Sequence, residues 1–192
     1  MSSHVFSPVI ADVWAKKSIA KNTTLVLGLT AFTAMCAQVS ISLPFTPVPL
    51  TLQTFAVLAG AAALGAERAV IAQVLYVVLA IAGVPVLAGG SSGADAVAGA
   101  TGGYIFGFVV SSFVVGRIAE RGATKRVEST VIAYLAGTAT IYALGVSWLA
   151  YVAHMSLRDA VVAGMIPFLI GDAIKAVAAG VSLPSLWKLA GK

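Results

Sequence analysis

Residues 168–180 read Phe-Leu-Ile-Gly-Asp-Ala-Ile-Lys-Ala-Val-Ala-Ala-Gly, an apolar run that carries one carboxylate, Asp172, and one ammonium, Lys175. Three residues apart on a helix, the two share a face. If the helix starts near Pro167, a rise of about 1.5 Å per residue puts Asp172 roughly 8 Å and Lys175 roughly 12 Å along it. That is well inside a hydrocarbon core about 30 Å thick. Each charge costs about 2.5–3.5 kcal/mol at the centre of a spanning helix, and pairing recovers part of the cost. Such a pair is either an ion bridge that locks a bundle or the mark of a substrate path facing a cavity.

The remaining sequence settles which solvent this run meets. Of 192 residues, 59% are hydrophobic and only 10% are charged. Soluble domains carry about a quarter charged residues. The fold class expected is therefore an all-α integral membrane protein lying in a lipid bilayer. Six apolar segments are expected to span it, at 23–40, 50–65, 69–87, 102–118, 129–147 and 165–186. A span needs about 20 residues, so the second is short and calls for a tilted neighbour or a re-entrant path.

Basic residues orient the spans. Lys16, Lys17 and Lys21 precede the first; Arg68 lies between the second and third; Arg117, Arg121, Lys125 and Arg126 lie between the fourth and fifth; Lys188 and Lys192 follow the sixth. Six spans put these ten of the twelve basic residues on the cytoplasmic side, with both termini inside. Only Arg158 falls outside, and Lys175 lies within a span. The net charge of +5 is thus a topology signal, and no nucleic-acid partner is expected. Trp148 and Tyr151 on the outer side and Trp187 on the inner side fit interfacial belts. Residues 7–21 suggest a short interfacial helix, capped by Ser7 with Pro8 at its first position, and with a stripe of Ile10, Val13, Trp14 and Lys17. The division expected is a cytoplasmic interfacial segment over 1–22 and a membrane domain over 23–192.

Irregular sequence gathers on the outer side. The first outer loop holds Pro44, Pro47 and Pro49, which favour a stiff extended path. The second holds Gly89, Gly90, Gly93, Gly99, Gly102 and Gly103, which permit tight turns and close approach to a ligand. Gln53, Tyr76 and Tyr104 are further polar groups within or beside spans. Together these point to an outward-facing site under loops. No GxxxxGK[ST] phosphate loop occurs, and His4 and His154 are far apart, so neither nucleotide hydrolysis nor a metal centre is expected. The lone Cys36 lies in an apolar run and reads as a small core residue.

Four blocks, "LPFTPVPLTLQTF", "GVPVLAGG", "GATGGYIFGF" and "PFLIGDAIKA", occur in this order over residues 25–185. They resemble the motifs of BioY proteins, the biotin-specific substrate-binding (S) components of energy-coupling factor (ECF) transporters. The resemblance implies a six-helix fold in the bacterial cytoplasmic (inner) membrane, with biotin held near the outer surface. It implies uptake of biotin without a bound cofactor. The partners implied are a transmembrane coupling protein and two cytoplasmic ATPases; a stand-alone ion-coupled vitamin carrier is the alternative. Asp172 and Lys175 carry over as biotin contacts, joined by Gln53, Tyr104, Gly89, Gly90 and Phe168. Val86 and Leu52 are further candidates for covering the sulfur-containing ring. Docking of the coupling protein is expected on small residues of the first span, Thr30, Thr33, Ala34 and Ala37, in place of the strict Ala-x-x-x-Ala.

Biotin suits the pair. Its ureido ring offers two N–H donors, which a carboxylate accepts, and one carbonyl, to which an ammonium donates. A neutral ring keeps the pair's net charge at zero, whereas biotin's own carboxylate beside Asp172 would add negative charge in low dielectric. The ring is therefore expected deep and the tail outward; the carboxylate on Lys175 is the competing placement.

Overall fold

The computed structural model describes residues 9–15 and 18–189. The described chain runs α1 Ile10–Ala15, α2 Ile19–Gln38, a two-residue hairpin of β1 Ser40–Ile41 and β2 Leu50–Thr51, α3 Gln53–Leu64, α4 Ala66–Ile81, α5 Ala94–Ala98, α6 Gly102–Ala119, α7 Val127–Val152, α8 Leu157–Gly164 and α9 Leu169–Leu189. Among the described residues, four stretches are long and apolar enough to cross a membrane: α2, α6, α7 and the run from Leu157 to Leu189. The second expected segment forms α3, a shorter apolar helix of 12 residues. The third forms α4, of 16 residues, which starts three residues earlier than expected.

The N-terminal expectation is corrected in part. No single helix covers 7–21. Ser18 caps α2, its Oγ accepting from the Lys21 N–H, and so starts the first long helix at Ile19 rather than at 23. α1 is short; Ala11 and the preceding Val9 are buried, while Ile10 and Val13 are half-buried. Ser7, Pro8, Lys17 and the Trp14 side chain lie outside what is described. An ion pair at 2.8 Å ties Asp12 of α1 to Arg68 of α4, and Arg68 also donates to Asn22 Oδ1 on α2.

The basic end of the bundle is tightly built. α3 and α4 meet at Gly65, whose φ of 83° is a left-handed conformation that a side chain disfavours. The freed Ala66 N–H at the start of α4 donates to Glu120 Oε1 at 2.8 Å. α6 closes on this corner through Gly116, where an added Cβ would land on the backbone N and Cα of Ala66. Backbone cannot yield as a flexible side chain can. Gly116→Ala is therefore expected to destabilise the protein by about 3 kcal/mol or more, read as a lowered melting temperature in detergent. At the same end Trp187 is 3% exposed and donates through Nε1 to Thr124 Oγ1 at 3.0 Å. It is a buried link between α9 and the α6–α7 turn, not the lipid-facing belt residue expected.

The small-residue face of α2 also differs from expectation. Thr30 Oγ1 lies 3.0 Å from the Ala72 carbonyl of α4, and Thr33 Oγ1 accepts from Gln73 Nε2 at 3.1 Å. Thr30, Thr33 and Ala37 are buried, and Ala34 is half-buried against the Tyr76 cluster. Thr30, Thr33 and Ala34 pack on α4, while the threonine hydroxyls also reach their own helix, Thr30 Oγ1 lying 3.0 Å from the Val26 carbonyl and Thr33 Oγ1 donating to the Leu29 carbonyl at 2.9 Å. They are not an open docking face. The outward face of α2 carries Leu27, Phe32 and Met35 instead.

The other end holds the loops. The proline-rich loop is bounded by the hairpin, with Ser40 opposite Thr51 and Ile41 opposite Leu50. α8 follows Ser156, whose Oγ accepts from the Asp159 N–H at 3.2 Å and donates to Asp159 Oδ2 at 2.7 Å. This reciprocal cap explains a helix that apolar periodicity alone did not predict.

Candidate functional site

A cavity of about 320 Å³ opens beneath the proline-rich loop, within the range of small-molecule sites. Pro47, Val48 and Pro49 roof it; α3, α6, α7 and α9 wall it; Leu87, Ala88 and Ser91 close one side. Apolar wall comes from Ile105 and Phe108 of α6, Ile141 of α7 and Phe168 at the turn into α9. Five of the residues named from sequence line it: Gln53, Tyr104, Phe168, Asp172 and Lys175. Their side chains come from three separate stretches of chain, which only the folded bundle brings together.

Asp172 and Lys175 face this cavity rather than lipid, at 5% and 9% exposure. Lys175 Nζ donates to Asp172 Oδ1 at 3.0 Å, to Thr54 Oγ1 at 2.8 Å and to the Thr51 carbonyl at 2.9 Å. An ammonium has three donors, so all are engaged. Asp172 Oδ1 also accepts from the Thr54 hydroxyl at 3.3 Å, and Oδ2 accepts from the Tyr142 hydroxyl. A carboxylate has about four acceptor positions. Three are used, and the free one lies on Oδ2. The pair is thus a buried ion bridge, held by α3 and α7, on the edge of open space.

Gln53 Nε2 donates to the Tyr76 hydroxyl at 2.8 Å, and Tyr76 donates in turn to the Val86 carbonyl at 2.9 Å. The Tyr104 hydroxyl donates to the Gly164 carbonyl at 2.8 Å, which pins α6 to the end of α8 and leaves the ring as cavity wall. Thr138 borders the cavity, and its buried Oγ1 has no hydrogen-bond partner among the described residues.

The glycine pair is placed differently from expectation. Gly89 and Gly90 have φ of 65° and 75°, so they make the turn that only glycine adopts without strain. Both are exposed, and neither lines the cavity; their neighbours Leu87, Ala88 and Ser91 do. Gln38 Nε2 ties this turn to the end of α2 by donating to the Leu87 carbonyl at 3.3 Å. Leu52 is 40% exposed and lies off the lining, as does Val86, whose carbonyl serves Tyr76.

Thr54, Tyr142 and Thr138 were not foreseen. Tyr142 and Thr138 belong to a series, Thr130, Tyr134, Thr138 and Tyr142, repeating every four residues through an otherwise apolar helix. That period places them on one face, and it was the available signal.

The family model of the BioY family matches residues 8–192. A "Biotin transporter BioY" of Thermotoga maritima is 40% identical over 149 residues, covering 78% of this chain and 86% of that protein. Another of the same name from Rhizobium etli is 38% identical, covering 72% of this chain and 78% of its own length. A crystal structure of the S-component for biotin from an ECF-type ABC transporter superposes with a TM-score of 0.81 at 28% identity, covering 88% of this chain and 92% of that one. On sequence, fold and extent of match together, this chain belongs to the BioY family.

Proposed function

We propose that the chain captures biotin in the cavity beneath the proline-rich loop and serves as the substrate-binding subunit of an ECF-type vitamin transporter. The observation that carries this reading is the Asp172–Lys175 bridge on the wall of a ligand-sized cavity, in a chain whose relatives are biotin transporters. The protein is a multi-pass membrane protein and not an enzyme. The finer topology we infer is six spans in the bacterial cytoplasmic membrane, with α3 and α4 as the two shorter ones and both termini cytoplasmic. The segregation of Arg68, Arg117, Arg121, Lys125 and Arg126 to the end opposite the cavity supports it. Energy is supplied by a coupling protein and two cytoplasmic ATPases.

In this reading the free acceptor of Asp172 takes a ureido N–H, and the ring lies between Phe168, Ile141 and Phe108. Lys175 holds Asp172 ionised in a low-dielectric wall. It reaches the ureido carbonyl by exchanging Thr54, whose hydroxyl keeps Asp172 Oδ1 as a partner. A ligand carboxylate is a poorer guest here. It would need to displace Lys175 donors while approaching Asp172, so like charges would meet out of water. The tail therefore points outward. Gly89 and Gly90, which make the exposed turn beside the lining, stand near its exit.

Calorimetric titration of the detergent-solubilised protein with biotin is expected to give one site per chain with saturable, high affinity. Absence of heat and of competition with labelled biotin would reject the assignment.

A further inference from the structure

We propose that Tyr76 is a positioning residue that fixes the Gln53 amide with its carbonyl oxygen toward the cavity, so that this wall selects a ligand N–H donor. The argument starts at the Val86 carbonyl, which can only accept a hydrogen bond. The Tyr76 hydroxyl lies 2.9 Å from it and therefore gives it the one proton it has. The same hydroxyl lies 2.8 Å from the Gln53 amide and has only lone pairs left to offer. Gln53 must then present its NH₂ to Tyr76. The reverse orientation would set the amide oxygen against a hydroxyl oxygen whose proton is already committed, in a region where Tyr76 is fully buried. With the NH₂ held on one side, Oε1 is what remains for the cavity that Gln53 lines. No described residue donates to Oε1, and it is not among the sealed, unpartnered atoms of the core. It is an accessible acceptor waiting for a donor.

The consequence, which rests on the biotin reading above, is a cavity with two acceptors. Asp172 Oδ2 lies on α9 and Gln53 Oε1 on α3, and the ureido ring has two N–H groups. Tyr76 touches no ligand. It acts by removing the choice that an amide otherwise has between presenting oxygen and presenting nitrogen. A freely turning glutamine would accept either kind of guest, whereas a locked one penalises a ligand that lacks the donor.

The test is a double-mutant cycle on biotin affinity by calorimetry in detergent, using wild type, Tyr76→Phe, Gln53→Leu and the double variant. Tyr76→Phe is expected to weaken binding about five- to tenfold, the loss of one neutral hydrogen bond's orientation. In the Gln53→Leu background the same change is expected to shift affinity less than about twofold, because its effect passes through Gln53. A packing role for Tyr76 would multiply the two losses, and either that result or wild-type affinity in Tyr76→Phe overturns the proposal. If Tyr76→Phe does not fold, wild type and Gln53→Leu are titrated with biotin and with biotin methylated on either ureido nitrogen in turn. A methylation loss that shrinks in Gln53→Leu for one of the two nitrogens supports an acceptor at this wall; equal losses in both proteins overturn it. Wild type that fails to bind biotin at all sinks the functional reading itself, an outcome separate from any of these.

Discussion

Asp172→Asn is expected to weaken biotin binding about ten- to a hundredfold while the protein still folds. Hydrogen bonds to a charged group are worth about 1.5–3 kcal/mol, and about 1.4 kcal/mol is a factor of ten in affinity. An asparagine has one acceptor oxygen where the carboxylate has two. Lys175, Thr54 and Tyr142 already occupy the carboxylate, so the amide cannot serve all three and the ligand as well. Its NH₂ would stand where Oδ2 now is, donating to the Tyr142 hydroxyl and meeting the ureido N–H donor against donor. Lys175 keeps the Thr51 carbonyl and the Thr54 hydroxyl, which is why the fold survives. Calorimetry together with thermal unfolding in the same detergent separates the two effects. Wild-type affinity in this variant would remove Asp172 from the site.

The second large effect concerns stability. Lys175→Met leaves the Asp172 carboxylate buried with only Thr54 and Tyr142 as partners. Breaking one side of a buried ion pair costs about 3–5 kcal/mol, chiefly because the remaining charge is uncompensated. The single variant is therefore expected to melt well below wild type and to lose biotin binding at least tenfold. Adding Asp172→Asn removes the stranded charge, so the double variant is expected to be more stable than Lys175→Met alone although it binds no better. If single and double variants melt together, the two groups are not an electrostatic unit.

The parts of this molecule that were legible in sequence are those fixed by chemistry rather than by contact. Apolar composition cannot be hidden, so the membrane class and the positions of the long helices followed from it; α6 was expected at 102–118 and observed at Gly102–Ala119. Two charges in an apolar run cost too much to be accidental, and they do border the cavity. What failed was decided by neighbours. Thr30 and Thr33 have the small size of a docking stripe, but they are buried against α4, and nothing in a single sequence says which helix faces which. Gly89 and Gly90 were read as ligand-facing backbone because glycine allows close approach. Glycine equally allows the positive φ of a turn, and that is the use made of them here. Trp187 looked like a belt residue by position alone, yet its indole N–H found Thr124 inside the bundle. Thr54 carries no signal in sequence, since a threonine beside Gln53 reads as an ordinary helix start; its value appears only when α9 brings Asp172 and Lys175 against it.

The central claim is that the ion pair meets the ring of biotin rather than its carboxylate. Titrating the wild-type protein with biotin and with biotinamide, in which the tail carboxylate is replaced by a neutral amide, tests it most directly. A tail at the wet mouth of the cavity contributes little, since exposed charges are worth about 1 kcal/mol or less, so the two ligands are expected to bind within about tenfold of each other. Loss of binding by several orders of magnitude with biotinamide would place the carboxylate on Lys175 and contradict the account.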